Sequence, residues 1–180
     1  MRKVHTSLIL LLVVFYISIA YLIVHPNVST AYKSYYITRD SDLTIRERKA
    51  LQPIHANMEI SYADQRVGYD GWHAAEGGYR WSAGRSSKIV FLLHPGLDRQ
   101  GMRTLSLKVT PLDRQQTDVF INGKLVHSGV VSTSSQVNIV FPASLLLEGE
   151  NVIRIDCPNA HGTETDRRKR GIALDSFSLR

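Results

Sequence analysis

Two segments of the chain concentrate residues capable of chemistry. The first, Gly68 to Gly84 (GYDGWHAAEGGYRWSAG), holds both tryptophans, two tyrosines, five glycines, a histidine and the Glu76/Arg80 pair. Flat aromatic rings stack on the C–H faces of sugars, and neighbouring donors and acceptors pair with sugar hydroxyls. Trp72, His73, Glu76, Tyr79 and Arg80 are therefore the candidate ligand-binding residues. Trp72, between Gly71 and His73 in a loop, reads as the exposed platform. Trp81, just before a strand, reads as core. The second segment, Asp156 to Leu174, is a polar loop that runs through Arg167, Arg168, Lys169 and Arg170 into a final strand. That basic run reads first as a charged sheet edge that discourages strand addition. The alternative is attraction to anionic headgroups or phosphorylated glycans, worth about 1 kcal/mol per basic residue at an anionic surface.

Motifs for catalysis are missing from the sequence. It has no Gly-x-Ser-x-Gly elbow, no His-Glu-x-x-His, no phosphate-cradling glycine loop and no thiol pair. Cys157, the single cysteine, sits at a strand end and reads as a small buried hydrophobe. The seven histidines lack metal-ligand spacing. Asp156, Glu164 and Asp166 supply hard oxygen ligands but no fixed-spacing calcium loop, so neither metal nor cofactor is assigned. A hydrolase of envelope sugars would need two carboxylates about 5–10 Å apart across a cleft, and the sequence does not place Glu76 and Asp166 that finely. The expectation is a non-catalytic protein.

The formal charge of +6 is local. Of the 22 Lys and Arg, Arg2, Lys3 and the 167–170 run account for six, and the remaining 16 balance the 16 acidic residues. A nucleic-acid binder spreads its basic residues along a face or groove, so nucleic acid is excluded as a partner. One cysteine forms no internal disulfide, and packing must hold the fold.

Residues 8–24 (LILLLVVFYISIAYLIV) carry no charge, proline or glycine and follow Arg2 and Lys3. At ~1.5 Å per helical residue the run reaches roughly 25 Å, the short end of the transmembrane range. Ser18 and Ala20 also give a small-x-small pair, as at a signal-peptide cleavage site, but apolar residues continue beyond it. Residues 1–25 are thus expected as an N-terminal transmembrane signal anchor. The positive-inside rule puts the N-terminus in the cytoplasm and the rest of the chain in the periplasm or outside, a single-pass protein of the cell inner membrane with the lipid bilayer as a partner.

Residues 26–57 read as a stalk containing a short helix at 41–51, because Thr44 and Glu47 have capping-box spacing and Pro53 stops propagation. Beyond them the period becomes two. Met58, Ile60 and Tyr62, then Leu105, Leu107 and Val109, then Val137, Ile139 and Phe141 alternate with polar residues. Lys88 to Leu93 (KIVFLL) suits a central strand, and Asn122-Gly123 between apolar arms predicts a two-residue hairpin turn. Ile153 and Ile155 mark another strand. The last one, Ile172 to Leu179, changes phase at Asp175-Ser176, as a bulge would make it. About eight strands without long helices predict an all-β domain at 58–180, an antiparallel two-sheet sandwich of jelly-roll type.

The pattern Gly71-Trp72-x-x-x-Glu76-x-x-x-Arg80-Trp81-Ser82-x-Gly84, then Val119-Phe120-Ile121-Asn122-Gly123, Glu150-Asn151-x-Ile153 and Asp166-x-Arg168-x-x-Gly171-Ile172-x-Leu174, resembles a known family. It is the carbohydrate-binding-like sandwich attached to the C-termini of bacterial membrane glycosyltransferases and phosphoglycerol transferases. The resemblance covers about residues 58–180. It implies an accessory extracytoplasmic module that binds a glycan or lipid-linked saccharide, or assists a membrane glycosyltransferase. It also implies that Glu76, Arg80, Asp166 and Arg168 lie together, which we read as two ion pairs tying the N- and C-terminal strands of the domain. The chain departs from the family in having an anchor segment but no transferase. The rival expectation is an assembly subunit docked on a multispanning membrane protein, without sugar binding.

Overall fold

The computed structural model describes residues 2–24, 41–96 and 98–180, with side chains of the first helix described from residue 10. Helix α1 (Arg2–Val24) forms over the apolar run, and its side chains at 10–24 are exposed. Among the described residues no helix is long and apolar enough to cross a membrane. The stretch whose side chains are described falls short of the ~20 residues a span needs. Residues 25–40, most of the expected stalk before residue 41, lie outside the described residues.

Helix α2 (Ile45–Ala50) has the predicted capping box. Thr44 Oγ1 accepts from Glu47 N at 3.2 Å, and Glu47 Oε2 accepts from Thr44 N at 2.7 Å. This segment was expected to be linker, but it is packed into the body. Leu43 and Leu51 form a cluster with Val90 and Val152. Arg48, 4% exposed, pairs with buried Glu150 and donates to Ser41 O, Ser41 Oγ and Leu43 O. Residues 41–54 therefore pack with the body ahead of the expected boundary at residue 58, because a charge this deep must have its partner.

The strands follow in chain order as β1 (Pro53–Ile54), β2 (Glu59–Ser61), β3 (Gly68–Asp70), β4 (Trp72–Glu76), β5 (Tyr79–Ser82), β6 (Ser86–Leu93), β7 (Met102–Pro111), β8 (Gln115–Ile121), β9 (Lys124–Val131), β10 (Ser135–Pro142), β11 (Glu150–Asp156) and β12 (Ile172–Leu179). They form two six-stranded sheets. One runs β1-β6-β11-β8-β9 with β3 also on β6, and the other runs β10-β7-β12-β5-β4 with β2 also on β12. All pairings are antiparallel except β1 on β6. Strands β5 to β12 thus divide between the layers in the orders 5-12-7-10 and 6-11-8-9, a jelly-roll arrangement.

The period-two residues close the core between the layers. Ile60, Leu105, Leu107, Ile139, Phe141 and Phe177 are at most 2% exposed, and burial of each such side chain is worth ~1.5–3 kcal/mol. Phe91 of one sheet meets Phe177 of the other at 6.1 Å between ring centres. The continuous apolar run of β6 is explained by burial on both faces: Ile89 and Phe91 face the core, while Val90 lies under Leu43 and Leu51. Asn122 and Gly123 both have positive φ at the β8–β9 turn, as the hairpin signal predicts. The register of β12 shifts between Leu174 and Ser176, so the phase change in the sequence is a bulge at Asp175.

Candidate functional site

Strand alternation decides which residues of the aromatic segment reach solvent. In β5, Tyr79 and Trp81 share one face while Arg80 and Ser82 share the other. Leu174, fully buried in the core, is the cross-strand partner of Arg80, and Ala173 is that of Trp81. Tyr79 and Trp81 therefore lie on the outer face of the second sheet, half-exposed, with ring centres 5.6 Å apart and planes at 76°. The small side chain of Ala173 beside it leaves room for the indole. The Trp81 indole N–H has no partner among the described residues.

The loop before β12 covers one side of this pair. It is pinned by Ser82 Oγ, which accepts from Gly171 N at 2.8 Å and Ile172 N at 3.1 Å, and by Gly84 N, which donates to Lys169 O at 2.9 Å. Gly171 is required by contact: a Cβ there would stand 2.5 Å from Cys157 Cβ. The pinned loop holds the Arg170 guanidinium 5.0 Å from the Trp81 ring centre, within cation–π reach. Arg168 bridges two carboxylates, Glu76 on β4 and Asp166 in its own loop; its Nη2 lies 2.7 Å from Asp166 Oδ2. Arg170 adds a contact of 3.3 Å to Asp166 Oδ2.

Hydrogen bonds from Arg168 hold the Asp166 carboxyl, and likewise that of Glu76, below the usual carboxylate range. The Arg168 guanidinium is in turn raised by Asp166 first and Glu76 second. Three of the expected four, Glu76, Asp166 and Arg168, thus come together, with Arg168 as the bridge. Arg80 does not join them. Strand alternation carries it to the opposite face, where its guanidinium lies 4.4 Å over the Tyr69 ring and donates to Tyr62 O and His73 O, both at 3.2 Å. The expected Glu76–Arg80 pair is replaced by Glu76–Arg168. His73 sits in the bulge of β4, its Nε2 3.4 Å from Lys169 O.

The two tryptophans lie on opposite faces of the second sheet. Trp72 pairs with Ser82, its ring packs edge-on to Tyr69 at 6.5 Å and against the core, and its Nε1–H donates to Lys88 O at 3.0 Å. Trp72 is half-buried and bonded across to the first sheet, whereas Trp81, also half-buried, lies on the outer face of the second sheet. The missed signal was the spacing Tyr79-x-Trp81 immediately ahead of Ser82, which puts both rings on one face of a short strand.

Cys157 is buried against Gly171 and Thr117, and burial pushes its thiol up to about 11, as a packing cysteine requires. Among the described residues no three His, Cys, Asp or Glu side chains gather into a metal site. Asp156 instead accepts from Ser86 Oγ at 2.7 Å.

No protein-family model matches the chain, and no curated protein matches it. Solved structures similar to it include a family 35 carbohydrate-binding module from Paenibacillus barcinonensis, at 13% identity over 69% of this chain and 98% of that one, with a TM-score of 0.47. A family 35 module from Clostridium thermocellum aligns at 15% identity over 68% of this chain and 97% of that one, TM-score 0.44. A CBM36-1 domain of a multidomain xylanase from the hindgut metagenome of Trinervitermes trinervoides aligns at 11% over 68% and 95%, TM-score 0.41. The two-sheet sandwich itself stands on the strand register given above.

Proposed function

We propose that this chain is a membrane-tethered, extracytoplasmic β-sandwich that binds a glycan on the outer face of its second sheet without acting on it chemically. The observation that carries the reading is the half-exposed Tyr79–Trp81 pair, held by β5 and framed by Arg170 and by the Glu76–Arg168–Asp166 bridge. The rings offer stacking area. The free indole N–H offers a donor, and the carboxylate oxygens offer acceptors to sugar hydroxyls. The same bridge favours binding over glycoside hydrolysis by these two carboxylates. A glycoside hydrolase needs one carboxyl kept protonated as the acid, whereas Arg168 holds both Glu76 and Asp166 ionised.

The tether rests on the uncharged run at 8–24, the helix that forms over it and the exposure of its described side chains. Arg2 and Lys3 ahead of it favour a cytoplasmic N-terminus. Carbonate extraction tests the tether, and release into the soluble fraction counts against it. A membrane glycan-modifying transferase is the partner class suggested by the resemblance. Crosslinking in mild detergent should then capture one stoichiometric membrane partner, and recovery of a lone monomer counts against it.

Calorimetric titration of the full chain with a panel of neutral and acidic oligosaccharides tests the binding site. Trp81→Ala should weaken binding by about tenfold, equivalent to about 1.4 kcal/mol, while Lys124→Ala at the hairpin turn of the other sheet leaves it unchanged. An unaltered affinity in Trp81→Ala, or no binding by the unaltered protein across the panel, refutes the reading.

A further inference from the structure

The outer face that carries Trp81 continues past it into a polar trough. Register sets Ser106 between Asn138 and Ser178, and Lys108 between Gln136 and Ser176, all on that face. Ser106, Ser176 and Ser178 are 6–7% exposed and make a floor of short side chains. Glu59, Lys108, Gln136 and Arg180 stand around it and enclose a trough of ≈ 210 Å³. Glu59, Lys108 and Ser176 also line a second recess, ≈ 440 Å³, with Tyr62, Asp175 and Gly78. Gly78 adjoins Tyr79 in the hairpin turn, so the trough leads to the aromatic pair.

The hydrogen bonds on this floor are incomplete. Ser106 Oγ donates to Asn138 Oδ1 and Ser176 Oγ donates to Glu59 Oε1, both at 2.6 Å. The Ser178 hydroxyl has no side-chain partner among the described residues and opens on the trough, and the exposed Lys108 stands above the same floor with no ion pair among those residues. A cation and a hydroxyl without a protein partner thus face one polar cavity. Arg180 adds a second positive group, while Glu59 commits one oxygen to Ser176 and keeps the other for a hydroxyl donor.

From these groups we infer that the trough is a second subsite of the glycan face and takes a carboxylate-bearing sugar unit. Its carboxylate sits between Lys108 and the Ser178 hydroxyl. The inference rests on the glycan reading above and adds to it the charge and length of the ligand. From Ala173, beside Trp81, to Ser178 is five residues including the bulge, or about 14 Å along β12. A single sugar does not bridge that distance, so the ligand is an acidic polysaccharide lying across the sheet. Tyr62 and Asp175 meet the hydroxyls of the units in between.

The test is calorimetric titration of the full chain in detergent with a short oligogalacturonate and with its methyl-esterified form, which keeps the sugars and removes the charge. The acid form should bind about tenfold more tightly than the ester, the scale of one charge-assisted contact. Lys108→Gln, on an exposed position, should abolish that preference. Ser178→Ala should weaken the acid form several-fold and leave the ester unchanged, with circular dichroism confirming the fold. Trp81→Ala should weaken both forms alike. Equal binding of the two forms by the unaltered protein, or a preference that survives Lys108→Gln, overturns the trough while leaving the platform standing. Binding of neither form overturns both.

Discussion

Removal of one carboxylate, in Glu150→Ala, tests whether residues 41–54 belong to the folded body. The Arg48 side chain is 1% exposed and that of Glu150 6%, and the two are 102 positions apart in the chain. After the substitution Arg48 keeps acceptors that include Ser41 O, Ser41 Oγ and Leu43 O, but its buried charge loses the Glu150 carboxylate. Breaking such a pair costs ~3–5 kcal/mol. That is a large share of the ~5–15 kcal/mol that holds a domain together, and at ~2–4 °C per kcal/mol for a chain of this size it lowers the melting temperature by about 6–20 °C. The cost is specific to removing one member of the pair. The double variant Arg48→Met with Glu150→Leu replaces both partners by apolar side chains and should return to within about 1 kcal/mol of the unaltered protein or exceed it. Urea unfolding followed by tryptophan fluorescence gives the energies, and hydrogen exchange should show residues 45–50 losing protection first in Glu150→Ala. A loss below about 1 kcal/mol with those residues still protected would refute the placement of α2 against the sheet.

Two further substitutions probe the fold and the charged bridge. Asn122 has positive φ and is bonded to Leu145 O, Asn151 Oδ1 and Val152 N at 2.7–2.9 Å, so Asn122→Ala should cost ~2–4 kcal/mol in urea unfolding. Asn122→Gly, which relieves the backbone but loses the bonds, should recover only part of that loss. Glu76 and Asp166 both have carboxyls lowered by Arg168, so their contribution to stability is complete above the ordinary carboxylate range and disappears as pH falls through the lowered folded values. The stability gap between the unaltered protein and Glu76→Gln, measured by urea unfolding, should be present at pH 7 and shrink below about pH 4.5. A gap that widens in acid would contradict the bridge.

Much of the sandwich was legible because its signals are local. Alternation over Leu105–Val109 and Val137–Phe141, the Asn122-Gly123 turn, the Thr44/Glu47 box and the broken phase at Asp175-Ser176 each need only a few neighbouring residues, and each is present. The membership of α2 in the body was not legible, since Arg48 shows as buried only once β11 brings Glu150 to it.

The site failed at a finer level, that of strand phase. In a four-residue strand one step of register moves every side chain to the other face, and the glycine turns on either side of β4 and β5 erase the longer pattern that would fix it. Glu76 and Arg80 are four residues apart, a spacing that reads as a pair, yet the hairpin puts Glu76 opposite Tyr79 on the outer face and turns Arg80 toward Tyr69. The same phase separates Trp81 from Trp72. Ser106, Ser176 and Ser178 carried still less signal, because isolated serines at alternate positions mean only a polar strand face. They become a floor because β7 and β12 are neighbours in the middle of a sheet whose partner strands supply Glu59 and Gln136 as walls. Side chains of that length on the outer strands and hydroxyls at the centre make a concavity whatever the ligand. The Ser178 hydroxyl and the Lys108 ammonium that open on it are the groups the proposed carboxylate would meet.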